Sequence, residues 1–356
     1  MNIENLRKKI NQIDLQLVEM LNERARVVIE VGKIKQQNGG PIFAPDREKQ
    51  VFETIKNANN GPLPNKCLVA IWRELMSGSF FLERPLRIGF LGPEGSFSHA
   101  ASMLKFGQSV EYESITDIRS VFDEVSKGHC DYAVVPIENS AGGGVIETLD
   151  AFVETDVKVC SEVLMGIHHN LLANCPLEKI EKIYSKPEVF SQCRKWLSST
   201  FEENKTIPVA SSAKAAQIAA KEENAAAIGS KVAAELYGLN IICSSIEDIS
   251  NNITRFFVIA KEDAKKTGED KTAILFSTSH KAGALADVLD VMRRFDINLT
   301  NIESRPSMKR EWEYYFFMDF LGHRTDENVV KALDEVRKHC LQLSILGSFP
   351  RATELL

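Results

Sequence analysis

The sequence predicts a multidomain chain: an all-α module, a two-lobed α/β module and an α+β sandwich, with expected bounds 1–85, 86–262 and 272–350. Three changes of rhythm predict it. In residues 3–37 apolar side chains recur at three- and four-residue steps. From residue 86 short apolar runs alternate with helical stretches, the pattern of a layered α/β fold. After the charged run 261–271 the order becomes β-α-β-β-α-β, that of a ferredoxin-like sandwich.

The first helix is set by Ile3, Leu6, Ile10, Ile13, Leu17, Leu21, Val28, Val31 and Ile34, and Gly39-Gly40-Pro41 stops it. Two more helices are expected at about 46–59 and 64–82. A helix of ~35 residues is about 50 Å long, whereas a module of this size has a radius of gyration of about 12 Å. An apolar stripe overhanging its own module is costly in water, so a dimer with intertwined helices is expected.

In the middle module "LRIGFLG", "YAVVPIE", "KIYSK", "AAAIGS" and "RFFVIA" read as strands. "SFSHAASMLKF", "GGVIETLDAFV", the stretch around "SQCRKWLSSTF", "SSAKAAQIAAKEE" and "KVAAELYGL" read as helices. The alternation predicts a largely parallel sheet, with residues 190–238 as a second lobe and 246–260 returning to the first. In the last module "TAILFSTS", "INLTNIESRP", "EYYFFMDFLG" and "SILGSFP" are strands, and "GALADVLDVMRRF" and "ENVVKALDEVRKHC" are helices.

Composition narrows the function classes. The chain is 44% hydrophobic and 26% charged, ordinary for a globular protein. Seven cysteines form an odd set without a C-x-x-C pair, so neither a disulfide framework nor a zinc ribbon is expected. "MNIENLRKKI" lacks the apolar core of an export signal, which leads us to expect an unprocessed cytoplasmic protein. Residues 1–84 hold 13 Lys and Arg against 10 Asp and Glu, the remainder 30 against 39. No segment carries the basic excess of a nucleic-acid binder, and no apolar run can span a bilayer. His99, His168 and His169 stand without further ligands at metal spacing, so no metal or other cofactor is expected.

Within the first helix Arg24 and Lys35 fall within about 20° of one face, whereas Arg7 lies about 100° from Arg24. The stretches "LRKKINQID", "NERARVVIEVGKIK", "PDREKQV" and "IWRELMSGSFFLE" resemble the all-helical chorismate mutase family over nearly all of residues 1–84. The resemblance implies a pocket of Arg7, Arg24, Lys35, Arg47, Glu48, Ser79 and Glu83, with Arg7 reaching into the partner's site. Ala44 departs from the acidic residue of some relatives. The implied chemistry is the pericyclic rearrangement of chorismate to prephenate. It needs no nucleophile, only a held conformer and stabilised charge on the breaking ether oxygen. Lys35 would donate to that oxygen and Glu48 would accept from the ring hydroxyl. Glu83 would be the second donor, which requires it to be protonated, and mutase activity would then fall as pH rises.

Two loops, "LGPEGSFSHAA" and "VPIENSAGGGV", place glycines and hydroxyls before helix starts, where backbone N–H groups suit an anion. With "SKPEVFSQC", "SSAKAAQIAA", "AAIGSKVAAELYGL" and "DISNNITRF" they resemble prephenate dehydratase over about residues 86–262. That implies a periplasmic-binding-protein-like pair of lobes with the site in the cleft. The resemblance makes Thr254-Arg255-Phe256 the signature, with Thr254 assisting departure of the ring hydroxyl by orienting or relaying a proton. Ser96 (threonine in most of the family), Glu138, Asn139, Ser140, Arg255 and Phe256 would bind substrate; for Arg255, binding a carboxylate and bracing the loop both stand. Residues 272–350 resemble the ACT regulatory domain through Gly283-Ala284-Leu285 and Glu303-Ser304-Arg305-Pro306. This implies phenylalanine bound between paired domains at Gly283, Ala284, Leu285, Asn298, Leu299, Glu303 and Ser304. The partners implied are chorismate, prephenate, phenylalanine and a second copy of the chain, as a dimer or a dimer of dimers. The rival reading is a two-lobed solute binder joined to an amino-acid sensor.

Overall fold

The computed structural model describes residues 2–201, 205–306 and 314–356. Its contacts divide into two compact units: Met1–Ala44, Gln50–Leu86 and Phe106–Glu111 form one, and Pro45–Lys49, Arg87–Lys105 and Tyr112–Leu356 the other.

The helical unit is built on α1 (Ile3–Asn38), α2 (Pro45–Ala58) and α3 (Asn65–Glu83). Asn2 caps α1 by accepting from the Glu4 N–H, and Gly39 ends it at φ 70°, its N–H returning to the Lys35 carbonyl. Pro45 opens α2, where a missing N–H costs nothing. Of all α1 residues only Gly32 is buried. It is buried because α1 meets α3 there: a Cβ at Gly32 would lie 2.9 Å from Glu83 Cγ, so only hydrogen fits. Phe43, packed edge-on against Phe80 and Phe106, and Met76 supply the small core. Ile3, Ile10, Leu17 and Ile34 remain 50% or more exposed.

The second unit begins with β1 (Arg87–Leu91), α4 (Phe97–Phe106), β2 (Glu111–Ile115), α5 (Ile118–Lys127), β3 (Tyr132–Asn139), β4 (Gly143–Gly144), α6 (Ile146–Glu154) and β5 (Lys158–Gly166). There follow β6 (Asn170–Ala173), β7 (Lys182–Ser185), α7 (Pro187–Gln192), α8 (Arg194–Thr200), β8 (Thr206–Pro208), α9 (Ser212–Ala219), β9 (Ala225–Gly229), α10 (Lys231–Tyr237), β10 (Asn240–Cys243) and β11 (Ile253–Ala260). The strands make two sheets, ordered β2-β1-β3-β11-β5 with β4 beside β3, and β10-β6-β9-β7-β8. The expected second lobe and the return of the chain to the first are both present. The sheets are mixed rather than largely parallel. β1 runs parallel to β3, but β11 enters antiparallel between β3 and β5, and β6 pairs antiparallel with both neighbours. The single helix expected around "SQCRKWLSSTF" is two, meeting at Cys193.

The last module runs β12 (Asp270–Ser277), α11 (Ala284–Arg294), β13 (Leu299–Pro306), β14 (Tyr314–Leu321), α12 (Glu327–His339) and β15 (Gln342–Pro350), the order read from the sequence. The stretch "EYYFFMDFLG" begins at Glu313, which lies outside the described residues. Its sheet is antiparallel, ordered β13-β14-β12-β15. One face packs on α11 and α12 through Phe276, Val288, Phe320 and Val336. The other shares a core with the first α/β sheet, where Leu275, Phe317, Leu346 and Phe349 meet Val159, Phe257 and Ile259.

Candidate active sites

In the helical unit two cations of α1 are held from α3. Arg24 Nη1 donates to Ser79 Oγ at 2.8 Å, and Ser79 Oγ donates to the Leu75 carbonyl. Lys35, about 16 Å further along the axis, donates to Glu83 Oε2 at 3.1 Å and to the Ile42 carbonyl at 3.0 Å. Burial lowers the Arg24 guanidinium pKa from its ordinary value. Glu83 accepts from Lys35 here, the opposite of the donor role implied by resemblance. Arg7 is exposed and 17 residues before Arg24, about 26 Å along the helix, too far to share a site with it in one chain. In the second unit Arg47 is exposed, and Glu48 is engaged in an ion pair with Lys105 of α4. Ala44 caps α2 without a side-chain bond.

Thr254 opens β11 beside the end of β3, paired with Asn139 across the ladder. Asn139 Oδ1 accepts from the Ala141 and Gly142 N–H groups at 3.0 and 2.9 Å, which fixes the amide's orientation. Its Nδ2 then donates to Thr254 Oγ1 at 2.8 Å and to Asn252 Oδ1 at 2.7 Å. A hydroxyl that accepts there keeps its own hydrogen to donate elsewhere. Asn252 Nδ2 reaches Gln192 Oε1 at 3.4 Å, and His169 Nε2 reaches the same oxygen at 2.7 Å. Gln192 and Asn252 carried no assigned role in the sequence. Both lay inside stretches that resemble the dehydratase, "SKPEVFSQC" and "DISNNITRF", and their convergence on Thr254 is visible only in three dimensions.

The other expected substrate residues are placed differently. Alternation along β11 turns Arg255 to the face opposite Thr254, where its Nε donates to Glu162 at 2.7 Å and its Nη1 to Asp319 of β14. Lys271 completes a buried group of two cations and two anions. Burial alone would lower the Arg255 pKa, but Asp319 and Glu162 raise it above its ordinary value. Arg255 therefore braces β11 against β14 of the last module, the second of the two roles expected for it. Phe256 is 1% exposed and belongs to the core. The Ser96 hydroxyl is spent locally, donating to the Leu91 carbonyl and accepting from the His99 N–H. Ser140 Oγ donates to the Asn251 carbonyl and accepts from the Ile253 N–H, latching its loop to the start of β11. Glu138 is half-buried, beside the Gly143–Gly144 strand.

In the last module Gly283 caps α11 at φ 85°, with Ala284 buried, Leu285 and Leu299 half-buried, and Asn298 and Ser304 exposed. Glu303 points at the β3–β4 hairpin: a Cβ at Gly144 would run into its carboxylate. Burial first, then the charge of Glu138, raises the Glu303 carboxyl pKa. A raised carboxyl binds a proton in the folded chain that the unfolded chain has released. Its stabilising contribution is complete below the ordinary carboxylate value and is lost as pH rises through the raised one. Glu303→Gln should therefore melt progressively higher than wild type as pH rises above the ordinary carboxylate range. A melting difference that is flat with pH contradicts this.

Among the described residues no group of three His, Cys, Asp or Glu is placed to hold a metal, and no helix is long and apolar enough to cross a membrane. Family models match in series: chorismate mutase type II at residues 6–84, prephenate dehydratase at 88–264 and the ACT domain at 272–338. The chain is 44% identical over 355 residues to the bifunctional chorismate mutase/prephenate dehydratase of Aquifex aeolicus (strain VF5), covering 98% of each. It is 40% identical over 357 residues to that of Pseudomonas aeruginosa, again with 98% of each covered. The prephenate dehydratase of Arthrobacter aurescens, solved in complex with L-Phe, superposes with a TM-score of 0.70 at 32% identity, covering 75% of this chain and 90% of that one. Three family matches in order, and relatives that align from end to end, establish that the chain belongs to the bifunctional chorismate mutase/prephenate dehydratase family.

Proposed function

We propose that the chain runs two consecutive reactions at separate sites, under feedback by their end product. It is a bifunctional enzyme, converting chorismate to prephenate and prephenate to phenylpyruvate. The single observation that carries our reading of its sites is the direction of the Asn139–Thr254 hydrogen bond. Asn139 donates, so the Thr254 hydroxyl hydrogen is free for the departing ring oxygen. In that reaction the bond to the lost carboxylate breaks, its electron pair enters the ring, and the ring hydroxyl leaves with a proton. Aromatisation supplies the driving force, which leaves the protein to orient the proton and bind the anion.

For the mutase, Arg24 and Lys35 clamp the dicarboxylate, and Lys35 stabilises the ether oxygen. Ser79 orients Arg24, and Glu83 positions Lys35. Arg7 acts in a second copy of the chain, whose α1 covers the exposed apolar stripe. The seven cysteines are free thiols, as a reducing cytoplasm favours. Phenylalanine binds around Gly283–Leu285, Asn298, Leu299 and Ser304. Glu303, lying against Gly144, links that region to the hairpin holding Glu138 and Asn139. Chorismate added to the full chain should yield phenylpyruvate absorbance, and phenylalanine should suppress it. Absence of phenylpyruvate refutes the consecutive reactions; phenylalanine-insensitive turnover refutes the feedback.

A further inference from the structure

His169 is 1% exposed and belongs to no metal cluster, yet it ends the polar chain that leads to Thr254. The protons on that chain follow from its unambiguous end. Two backbone N–H groups fix Asn139 Oδ1 as acceptor, so Asn139 Nδ2 is the donor toward Asn252. Asn252 must accept with Oδ1 and so donates with Nδ2 to Gln192. Gln192 therefore presents Oε1, and an amide oxygen only accepts, so His169 Nε2 must carry a hydrogen. Burial lowers the His169 pKa, favouring the neutral ring. Its other nitrogen, Nδ1, is buried with no hydrogen-bond partner among the described residues. The backbone of His169 is held independently: its N–H donates to Glu247 Oε2 and its carbonyl accepts from the Ile246 N–H. Phe97, at the start of α4, lies edge-on to the ring at 5.6 Å.

The consequence concerns Gln192. With Oε1 held by two donors, its amide nitrogen is the end left to donate. An Asn139–Asn252–Gln192 chain locked in this sense thus presents two donors, the Thr254 hydroxyl and the Gln192 amide. The substrate carries carboxylates and a departing hydroxyl, all acceptors. Were the amide free to turn over, an acceptor would replace the donor.

We propose that His169, protonated on Nε2 and neutral, is a positioning residue for the dehydratase reaction, acting through Gln192 to fix the hydrogen-bond direction at Thr254. The inference rests on Thr254 lying in the dehydratase site. Holding a donor in place for the transition state is a kcat effect, and losing a supporting partner of this kind costs about 10- to 100-fold.

The test compares three variants of the full chain, each with mutase activity and melting temperature as controls of folding. His169→Phe keeps a planar ring and deletes the donor; it should lower dehydratase kcat by about 10- to 100-fold with KM for prephenate changed less than about 3-fold. His169→Gln places an amide N–H near the position of Nε2 and should recover most of that loss. A fully active His169→Phe, or a folded His169→Gln as impaired as His169→Phe, overturns the proposal. Thr254→Val is the third arm. If it retains dehydratase activity, the site reading itself fails; if it is inactive while His169→Phe is fully active, only the role of His169 fails. Nitrogen NMR of the wild-type chain labelled at histidine needs no variant. A protonated Nε2 and an unprotonated Nδ1 on His169 at neutral pH are expected, and the reverse tautomer or a charged ring overturns the proposal.

Discussion

Thr254→Val removes dehydratase activity by about 10²- to 10⁴-fold, the range that a positioned proton-transfer group contributes, while chorismate is still converted to prephenate. Valine keeps the branched shape that suits β11 and deletes only the hydroxyl. The loss has one main source. Asn139 Nδ2 keeps its bond to Asn252 Oδ1, so the amide stays oriented, but the hydroxyl that donates to the departing oxygen is gone. Burying an unpaired amide hydrogen beside the valine adds about 1–3 kcal/mol of destabilisation, small enough to leave the chain folded. Prephenate turnover by the variant, measured beside its mutase rate, checks this. Wild-type phenylpyruvate formation contradicts the assignment of Thr254.

Lys35→Ala gives the second large effect, a drop in mutase kcat of about 10²- to 10³-fold, as for loss of one donor aimed at developing charge. Lys35 is held by Glu83 and by the Ile42 carbonyl, so it is organised before substrate arrives. Dehydratase turnover in the same chain reports whether the variant is folded. The variant also tests the shared site. If Arg7 serves the partner's pocket, a hybrid of Arg7→Ala and Lys35→Ala chains contains one intact site and one doubly defective site. An equal mixture, after subunit exchange, should recover about one quarter of wild-type mutase activity. No recovery despite exchange contradicts the placement of Arg7 in the partner's site.

Long regular elements were the legible part of the fold. The spacing from Ile3 to Ile34 and the stop at Gly39 announced α1, and the six elements after residue 270 were readable in order because each carries its own period. Helix α5 carries the same spacing in Ile118, Val121, Phe122 and Val125, and it, β5 and β6 are elements beyond those expected from the sequence. Strand direction was not legible. β11 pairs with β3 across more than a hundred residues, Thr254 with Asn139, and no local pattern specifies that partner. The same non-locality hid what Arg255 does. The family resemblance named Thr254-Arg255-Phe256 as a unit, but alternation along a strand sends neighbouring side chains to opposite faces. Arg255 meets Asp319, 64 residues further on, while Phe256 fills the core. Asn252, Gln192 and His169 were unassigned for a related reason: each is an ordinary polar residue until the chain of hydrogen bonds is traced from Asn139.

Two independent sites on one polypeptide are proposed to carry out consecutive reactions. The most direct test is the product balance of Thr254→Val supplied with chorismate, run beside Lys35→Ala supplied with prephenate. The first should accumulate prephenate without phenylpyruvate, and the second should form phenylpyruvate at the wild-type rate. Phenylpyruvate from the first, or a folded second variant unable to use prephenate, would contradict it.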